Sequence, residues 1–432
     1  MPGFFVPAFC TFVTVKLTVY PSYLTGSIYA PPSKSIFQRA VAAALLAPGT
    51  SRLSNPCFAN DGLSALAMAG HLGAQIEEDG EDLLLHGGLK PIGTELNAGE
   101  AGLGIRLFTP IAALHDGPLT MEGEGSLATR PMGMFESILP PLGAFCSTAD
   151  GKLPIAVKGP LKGGTISLDG SLSSQFLTGL LMALPLAAED STLHVKDLKS
   201  TPYIEMTLEV MAHYGVHVSH TNFETFDIPG GQAYKPKDIH VDGDWSGAAF
   251  QLIAGALSGK DFYEVKGLPS VFTQADQAVT GALLFAGCKV KNQQGDYQVA
   301  CHQLRGIDFD LTDCPDLFPP LTAMAVFGDK PSRFTGVHRL KHKESNRGIV
   351  LRNEFAKAGL RIDLNDDVMT VYPGEPKAAT LDSNNDHRIA MAAALLGMGG
   401  TEPITITGAE AIRKSYPDFF ADMSELGGNI QS

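Results

Sequence analysis

The sequence predicts an α/β fold built from six repeated units, three in each of two domains. Three observations carry this expectation. A β-rich stretch leads into small polar residues and then into an Ala/Leu-rich helix, and this succession recurs six times. Each of those helices is apolar on nearly every side, which marks a buried helix and not a surface one. A second, more amphipathic helix recurs between them and ends in a Gly followed by a hydrophobic run.

The apolar helices begin near Ser33 (SKSIFQRAVAAALL), Glu100 (EAGLGIRLFTPIAAL), Ser173 (SSQFLTGLLMALPLA), Ser246 (SGAAFQLIAGAL), Asp316 (DLFPPLTAMAVF) and Asp386 (DHRIAMAAALLG). Their starts are roughly 70 residues apart, and self-similarity at a fixed period is the mark of a repeat architecture. Ser, Asp and Glu at these starts are expected to cap or complement free helix N–H groups. The second helices end at Leu72–Gly73, Tyr214–Gly215, Ala286–Gly287, Ala358–Gly359 and Leu426–Gly427. Glycine there fits a left-handed C-cap before a strand.

Three units per domain place one change of domain near Asp242-Gly243-Asp244 and a return point near Pro31-Pro32. The expected division is therefore 1–32 with 245–432 in one domain and 33–244 in the other. The competing reading is a single large α/β domain with coincidental spacing.

Composition narrows the function. The chain has 432 residues, enough for more than one domain, and 44% hydrophobic residues, enough for sizeable cores. It has 32 Lys and Arg against 46 Asp and Glu, a formal charge of −14. That excludes a general nucleic-acid binder, which needs a basic footprint. It permits a small anionic substrate, because a few cations can converge locally on an acidic protein. The six cysteines, Cys10, Cys57, Cys146, Cys288, Cys301 and Cys314, form no C-x-x-C pair and are too sparse for a disulfide scaffold. They read as reduced residues of a cytoplasmic protein. No apolar run is long enough for a membrane helix. The apolar opening MPGFFVPAFCTF lacks the basic flank and cleavage site of a signal peptide, and reads as a ragged extension.

Helix starts of this kind make an anion site if they face one cleft. Lys34, Arg39, Arg106, Ser173, Ser174, Gln175, Asp386, His387 and Arg388 lie at or beside such starts. Four further segments are more polar than capping requires: Gly125–Pro131 (GSLATRP) with Arg130, Ser200–Tyr203 (STPY), Arg339–Arg347 (RLKHKESNR), and Arg413–Asp418 (RKSYPD) with Lys414. The alternative for the basic cluster is a solvated charged face. No P-loop, zinc-protease motif or nucleophile elbow occurs.

Taken together, PSKSIFQR, DGSLSSQF, STPY, the Pro315-Asp316 pair, KES-x-R, NDHR and K-x-x-PDFF resemble the enolpyruvyl transferase superfamily. Within it they resemble the 5-enolpyruvylshikimate-3-phosphate synthases, in family order from about Val15 to about Asn429. The resemblance implies an inside-out α/β barrel of six βαβαββ units, and a cleft that closes on substrate. It also implies a monomer with no metal or organic cofactor. The implied reaction joins phosphoenolpyruvate to the 5-hydroxyl of 3-phosphoshikimate and releases phosphate, on the route to chorismate and the aromatic amino acids.

Carried over by motif, Lys34, Ser35, Arg39, Ser173, Ser174, Gln175, Ser200, Asp316, Arg339 and Lys343 are implied to bind 3-phosphoshikimate. Lys34, Gly102, Arg130, Gln175, Arg347, Arg388 and Lys414 are implied to surround phosphoenolpyruvate. Asp316, Glu344 and Lys34 are implied to move protons. The family is also the target of glyphosate, which competes with phosphoenolpyruvate. Some positions depart from the pattern. Glu100 and Leu103 stand where Asn and Thr are common, Asn346 replaces an Asp, and Arg339 fills a position that is often Asn. Asn97-Ala98-Gly99 offers a competing register for the segment through Gly102. Two alternatives stand beside this reading. One is a UDP-N-acetylglucosamine enolpyruvyl transferase, although GSLATRP lacks the loop Cys common there. The other is a non-catalytic anion-binding protein on the same fold.

Overall fold

Each of six four-stranded sheets has the same strand order, so one sheet describes them all. In the third unit, Gly164–Asp169 pairs parallel with Ser191–Lys196, which pairs antiparallel with Thr225–Ile228, which pairs antiparallel with Ser219–Thr221. The apolar helix Gln175–Ala183 links the two parallel strands, and the amphipathic helix Thr201–His213 leads to the hairpin. This is the βαβαββ unit, and a parallel pair needs a crossover of this sort. The computed structural model describes residues 15–171, 173–269 and 271–432. The MPGFFVPAFCTF extension, with Cys10, lies outside them.

Three sheets are completed by strands far away in the chain. Ile239–His240 pairs with Leu53 and Ser54 of the first unit. Leu24–Tyr29 pairs parallel with Gly259–Lys266 of the fourth. The chain therefore crosses between halves twice, and the two crossings lie side by side. Pro32 bridges Gly243, Ser33 N donates to Asp242 O at 2.8 Å, and Asp244 N donates to Pro31 O at 2.7 Å. The Lys16–Val19 strand closes the last sheet against Ile404–Thr407 and Ile430–Gln431.

The six inner helices are Lys34–Leu46, Gly102–Ala112, Gln175–Ala183, Trp245–Ser258, Phe318–Ala325 and His387–Gly399. They are buried along almost their whole length, as their apolar composition requires. They gather into two hydrophobic cores. One contains residues from Ile36 to Val241, together with Phe272. The other contains Val19, Leu24 and Ala30, and then residues from Trp245 to Leu426.

The expected caps are realised at only some starts. Ser33, Asp244 and Asp386 accept bonds from Ile36 N, Gly247 N and Arg388 N. At the fourth helix the cap is thus Asp244, not Ser246. The second starts after Ala101 with no side-chain cap, because the Glu100 carboxylate is bonded elsewhere. Asp316 sits in a short 3-10 turn, Pro315–Leu317, ahead of its helix, where Pro319 and Pro320 lack N–H groups to cap. Several polar residues at these starts face the cleft instead.

The amphipathic helices end as expected, with left-handed glycines at 73, 215, 287, 359 and 427. A sixth, Met134–Ile138, was not legible in the pattern. It is one turn long and runs into Pro140–Leu142 before Gly143, also left-handed, ends it. Among the described residues no helix is long and apolar enough to cross a membrane.

Candidate active site

The inner helix starts of both halves converge on one cleft. Its described lining includes seven Lys and Arg side chains: Lys34, Arg39, Arg106, Arg130, Arg339, Lys343 and Arg388. Four carboxylates face them: Asp61, Asp244, Asp316 and Glu344. A chain of net charge −14 thus concentrates positive charge in one place, where low-dielectric walls strengthen its field.

On the first helix, Ser35 and Arg39 are one turn apart and share a face. Arg39 is 1% exposed and has only neutral partners. It donates to Ser35 O at 2.8 Å, Thr207 Oγ1 at 2.9 Å and Tyr203 O at 3.1 Å. Burial lowers it to about 10. Lys34 Nζ pairs with Asp61 at 2.8 Å. Burial alone would lower Lys34, but Asp61 and Glu344 outweigh it and hold the ammonium protonated.

Arg106 donates to Gln175 Oε1 at 2.8 Å and lies over the Phe176 ring at 5.0 Å. Burial, and then its neighbour Arg130, lower it to about 9. Arg130 is buried, with Glu344 at 3.6 Å and Ser126 Oγ at 3.4 Å. A Cβ on Gly102 would lie 2.4 Å from Arg130 Nη1. Gly102 lines the cleft, and Gly99 is not among its lining residues.

Asp316 is held by three cations. Its Oδ1 accepts from Arg347 at 2.7 Å and Lys343 at 3.1 Å, and its Oδ2 from Arg388 at 3.0 Å. Burial would raise this carboxyl; Arg388, Lys343 and Arg347 outweigh it and hold it well below the usual carboxylate range. Glu344 accepts from Arg347 at 2.5 Å. It too is held low, because Arg347 and Arg130 overcome the effect of burial.

Ser200 has a left-handed backbone, φ 58°, a strained conformation for a residue with a Cβ. Its N–H donates to Asp313 at 2.6 Å and its Oγ accepts from Arg339 at 3.0 Å. Arg339 also donates to Ser171 O at 2.7 Å. Ser173 Oγ accepts from Gln175 N, and Ser173, Ser174 and Gln175 all line the cleft.

Of the residues assigned to substrate or proton transfer from sequence, Arg347 and Lys414 do not line the open cleft, and neither do the helix-start residues Asp386 and His387. Arg347 is 1% exposed, pinned behind the cleft by Asp316, Glu344 and Asp386. Lys414 is buried between Glu100 Oε2 at 2.9 Å and Asn385 O at 2.6 Å. The nine-residue cluster RLKHKESNR is therefore no solvated face: Arg339, Lys343 and Glu344 line the cleft and Arg347 is buried behind it.

Sequence reasoning missed Asp61, and it named Asp386 and the Ser200–Tyr203 turn without their partners Arg347 and Arg39. Asp61 reads as an ordinary first-turn acid in NDGLSALAMAG, and nothing local signals its pairing with Lys34. His387 is 1% exposed, and neither ring nitrogen has a hydrogen-bond partner in the protein. Burial, Arg388 and Lys34 push it well below its usual range, so it is neutral.

Known proteins agree with this picture. Residues 19–423 match the family model of EPSP synthase (3-phosphoshikimate 1-carboxyvinyltransferase). A 3-phosphoshikimate 1-carboxyvinyltransferase of Methanosarcina acetivorans is 36% identical over 431 residues, covering 96% of this chain and 99% of its own. That of Clostridium kluyveri is 34% identical over 421 residues, covering 96% and 98%. Among solved structures, an EPSP synthase from Acinetobacter baumannii superposes with a TM-score of 0.82 at 23% identity, covering 97% of this chain and 99% of that one. A fold shared across the whole length, with a family match over nearly all of it, places this chain in the EPSP synthase family of 3-phosphoshikimate 1-carboxyvinyltransferases.

Proposed function

We propose that the chain transfers the enolpyruvyl group of phosphoenolpyruvate to the 5-hydroxyl of 3-phosphoshikimate and releases phosphate. The observation that carries this reading is the pair of low carboxylates, Asp316 and Glu344, set among cations from both halves of the molecule.

The reaction has two stages. The sugar-like hydroxyl attacks C2 of phosphoenolpyruvate as C3 takes a proton, giving a tetrahedral ketal phosphate. C3 then loses a proton, the C2–O bond to phosphate breaks, and the enol ether remains. Groups that both give and take protons are needed. Asp316 is assigned to the attacking hydroxyl and Glu344, with Lys34, to the C3 proton and the departing phosphate.

Both acids are too strongly ionised at rest to serve as good general acids or bases. Their cations are the ones assigned to substrate. When anionic phosphoenolpyruvate engages Arg130, Arg347 and Arg388, part of that positive field is neutralised, and both carboxyl pKa values rise toward the working range. Substrate binding thereby arms the proton carriers. Arg suits bidentate binding of carboxylate and phosphate, and Lys34 and Lys414 supply compact charge. Arg39, Arg339, Lys343, Ser35, Ser173, Ser174, Gln175 and Ser200 are assigned to 3-phosphoshikimate.

The two separate cores support domains of 1–32 with 245–432, and 33–244, turning on the paired crossings at Pro32 and Gly243. Closure would expel water and strengthen each charge contact. A monomer in the cytoplasm completes the proposal. The test is a phosphate-release assay. Release is expected only with both substrates and without added metal or nucleotide. Release with UDP-N-acetylglucosamine and none with 3-phosphoshikimate would overturn the assignment.

A further inference from the structure

Five cysteines lie among the described residues, and two of them flank one hairpin. The hairpin of Lys289–Gln293 and Asp296–Ala300 pairs Gln293 with Asp296 through to Lys289 with Ala300. One step further along the same register, Cys288 stands opposite Cys301. Opposed residues of an antiparallel pair have side chains on one face and Cα atoms about 4.5–5.5 Å apart, within the range a disulfide accepts. Each thiol's protonation is shifted chiefly by the other. The backbone holds them there: Gly287 is left-handed, Cys288 N donates to Leu283 O at 2.9 Å, and the flanking Val290–Val299 pair is in register.

Access is unequal. Cys288 is 5% exposed. Cys301 is partly exposed and lines a surface depression with His302, Leu304 and Phe327. Neither thiol lines the active-site cleft.

We propose that Cys288 and Cys301 form a redox-responsive dithiol that hydrogen peroxide or a small-molecule disulfide converts reversibly to an intramolecular disulfide. Cys301 is the attacking thiol. The Cys288 thiol and the Gln303 N–H lower it to about 7 despite partial burial, while Cys288 is driven up. With peroxide, the Cys301 thiolate takes one oxygen as the O–O bond breaks, and the hydroxide released becomes water. The Cys288 sulfur then attacks the Cys301 sulfenic acid. The S–O bond breaks, and hydroxide leaves with the Cys288 proton as a second water. Two thiols lose two electrons and one peroxide becomes two waters. Excess thiol reverses the bond by exchange.

The other described cysteines provide an internal contrast. Burial raises Cys57 and Cys146 to about 12 each, and raises Cys314 as well. They are expected to stay reduced.

The experiment uses the full chain carrying Cys10→Ser, oxidised with hydrogen peroxide or with oxidised glutathione and mapped by mass spectrometry without reduction. One cross-linked peptide joining Cys288 to Cys301 is expected, reversed by dithiothreitol. In native protein at pH 7, Cys301 should be alkylated about threefold faster than an unperturbed thiol, since its greater thiolate fraction is partly offset by lower nucleophilicity. Cys288→Ala should remove that excess and stop peroxide oxidation at a Cys301 sulfenic acid that dimedone captures. No linked peptide, or a scatter of pairs including Cys57 or Cys146, would overturn the proposal. The mapping of the Cys10→Ser chain stands even if Cys288→Ala does not fold.

Discussion

Glu100 and Lys414 join the two halves directly, with Oε2 and Nζ 2.9 Å apart. Glu100 also accepts from Ser126 N on its own side and from Asn385 on the other. The two halves are therefore joined by a charged tie across the cleft. Glu100→Gln is expected to loosen it, so that the ligand-free radius of gyration in solution scattering exceeds that of the wild type. With 3-phosphoshikimate and a phosphoenolpyruvate analogue bound, the two curves should coincide. Identical ligand-free curves would show that the tie does not set the resting shape.

Chemistry and binding should separate by residue. Asp316→Asn and Glu344→Gln are each expected to lower kcat by roughly 10²-fold or more, the scale of a lost positioned acid or base. Arg130→Ala should mainly raise KM for phosphoenolpyruvate, since it supplies charge and not protons. Steady-state kinetics of the three variants would decide. Wild-type turnover in Glu344→Gln would remove it from the proton path.

Acid should expose the same carboxylates. Asp316 and Glu344 are held below their ordinary values, so their contribution is fully present above about pH 4 and is lost as pH falls through the depressed values. Thermal melts of the wild type should fall steeply below about pH 4. Asp316→Asn should melt lower at pH 7, because three cations lose their counter-charge, and its melting temperature should depend less on pH in the acid range. A variant with the wild-type acid slope would place the titrating groups elsewhere.

Glyphosate is expected to inhibit in competition with phosphoenolpyruvate, and Gly102→Ala to weaken it. The new methyl would collide with the Arg130 guanidinium, whose free end can shift. Such overpacking costs about 1–3 kcal/mol, roughly ten- to a hundredfold in binding. Because Arg130 is also assigned to phosphoenolpyruvate, KM should rise too, by less. Paired inhibition titrations would test this, and equal inhibition constants would remove Gly102 from the inhibitor's path.

The inner helices were legible because burial on all sides demands an unbroken apolar run, and that demand is local. Left-handed glycines announced the outer helices for the same reason, except at Met134–Ile138, where one turn is too short to show a period. Lys34, Arg39, Arg388 and the KES-x-R cluster were legible by motif. What escaped was pairing over distance. Lys34 with Asp61, Asp386 with Arg347 and Glu100 with Lys414 exist only once the helix ends have been brought together. The sheet contacts of Lys16–Val19 with Ile404–Thr407 are equally silent in the sequence.

The paired crossings have a consequence for the chain as a genetic object. Ser33 and Asp242 are hydrogen-bonded neighbours, as are Pro31 and Asp244. The segment between them leaves and re-enters the rest of the molecule at a single spot. It is laid out as an insert in a host, and each part presents its cut ends side by side. A loop of a few residues could seal either one, so new termini could be opened elsewhere in the insert without moving a single inner helix.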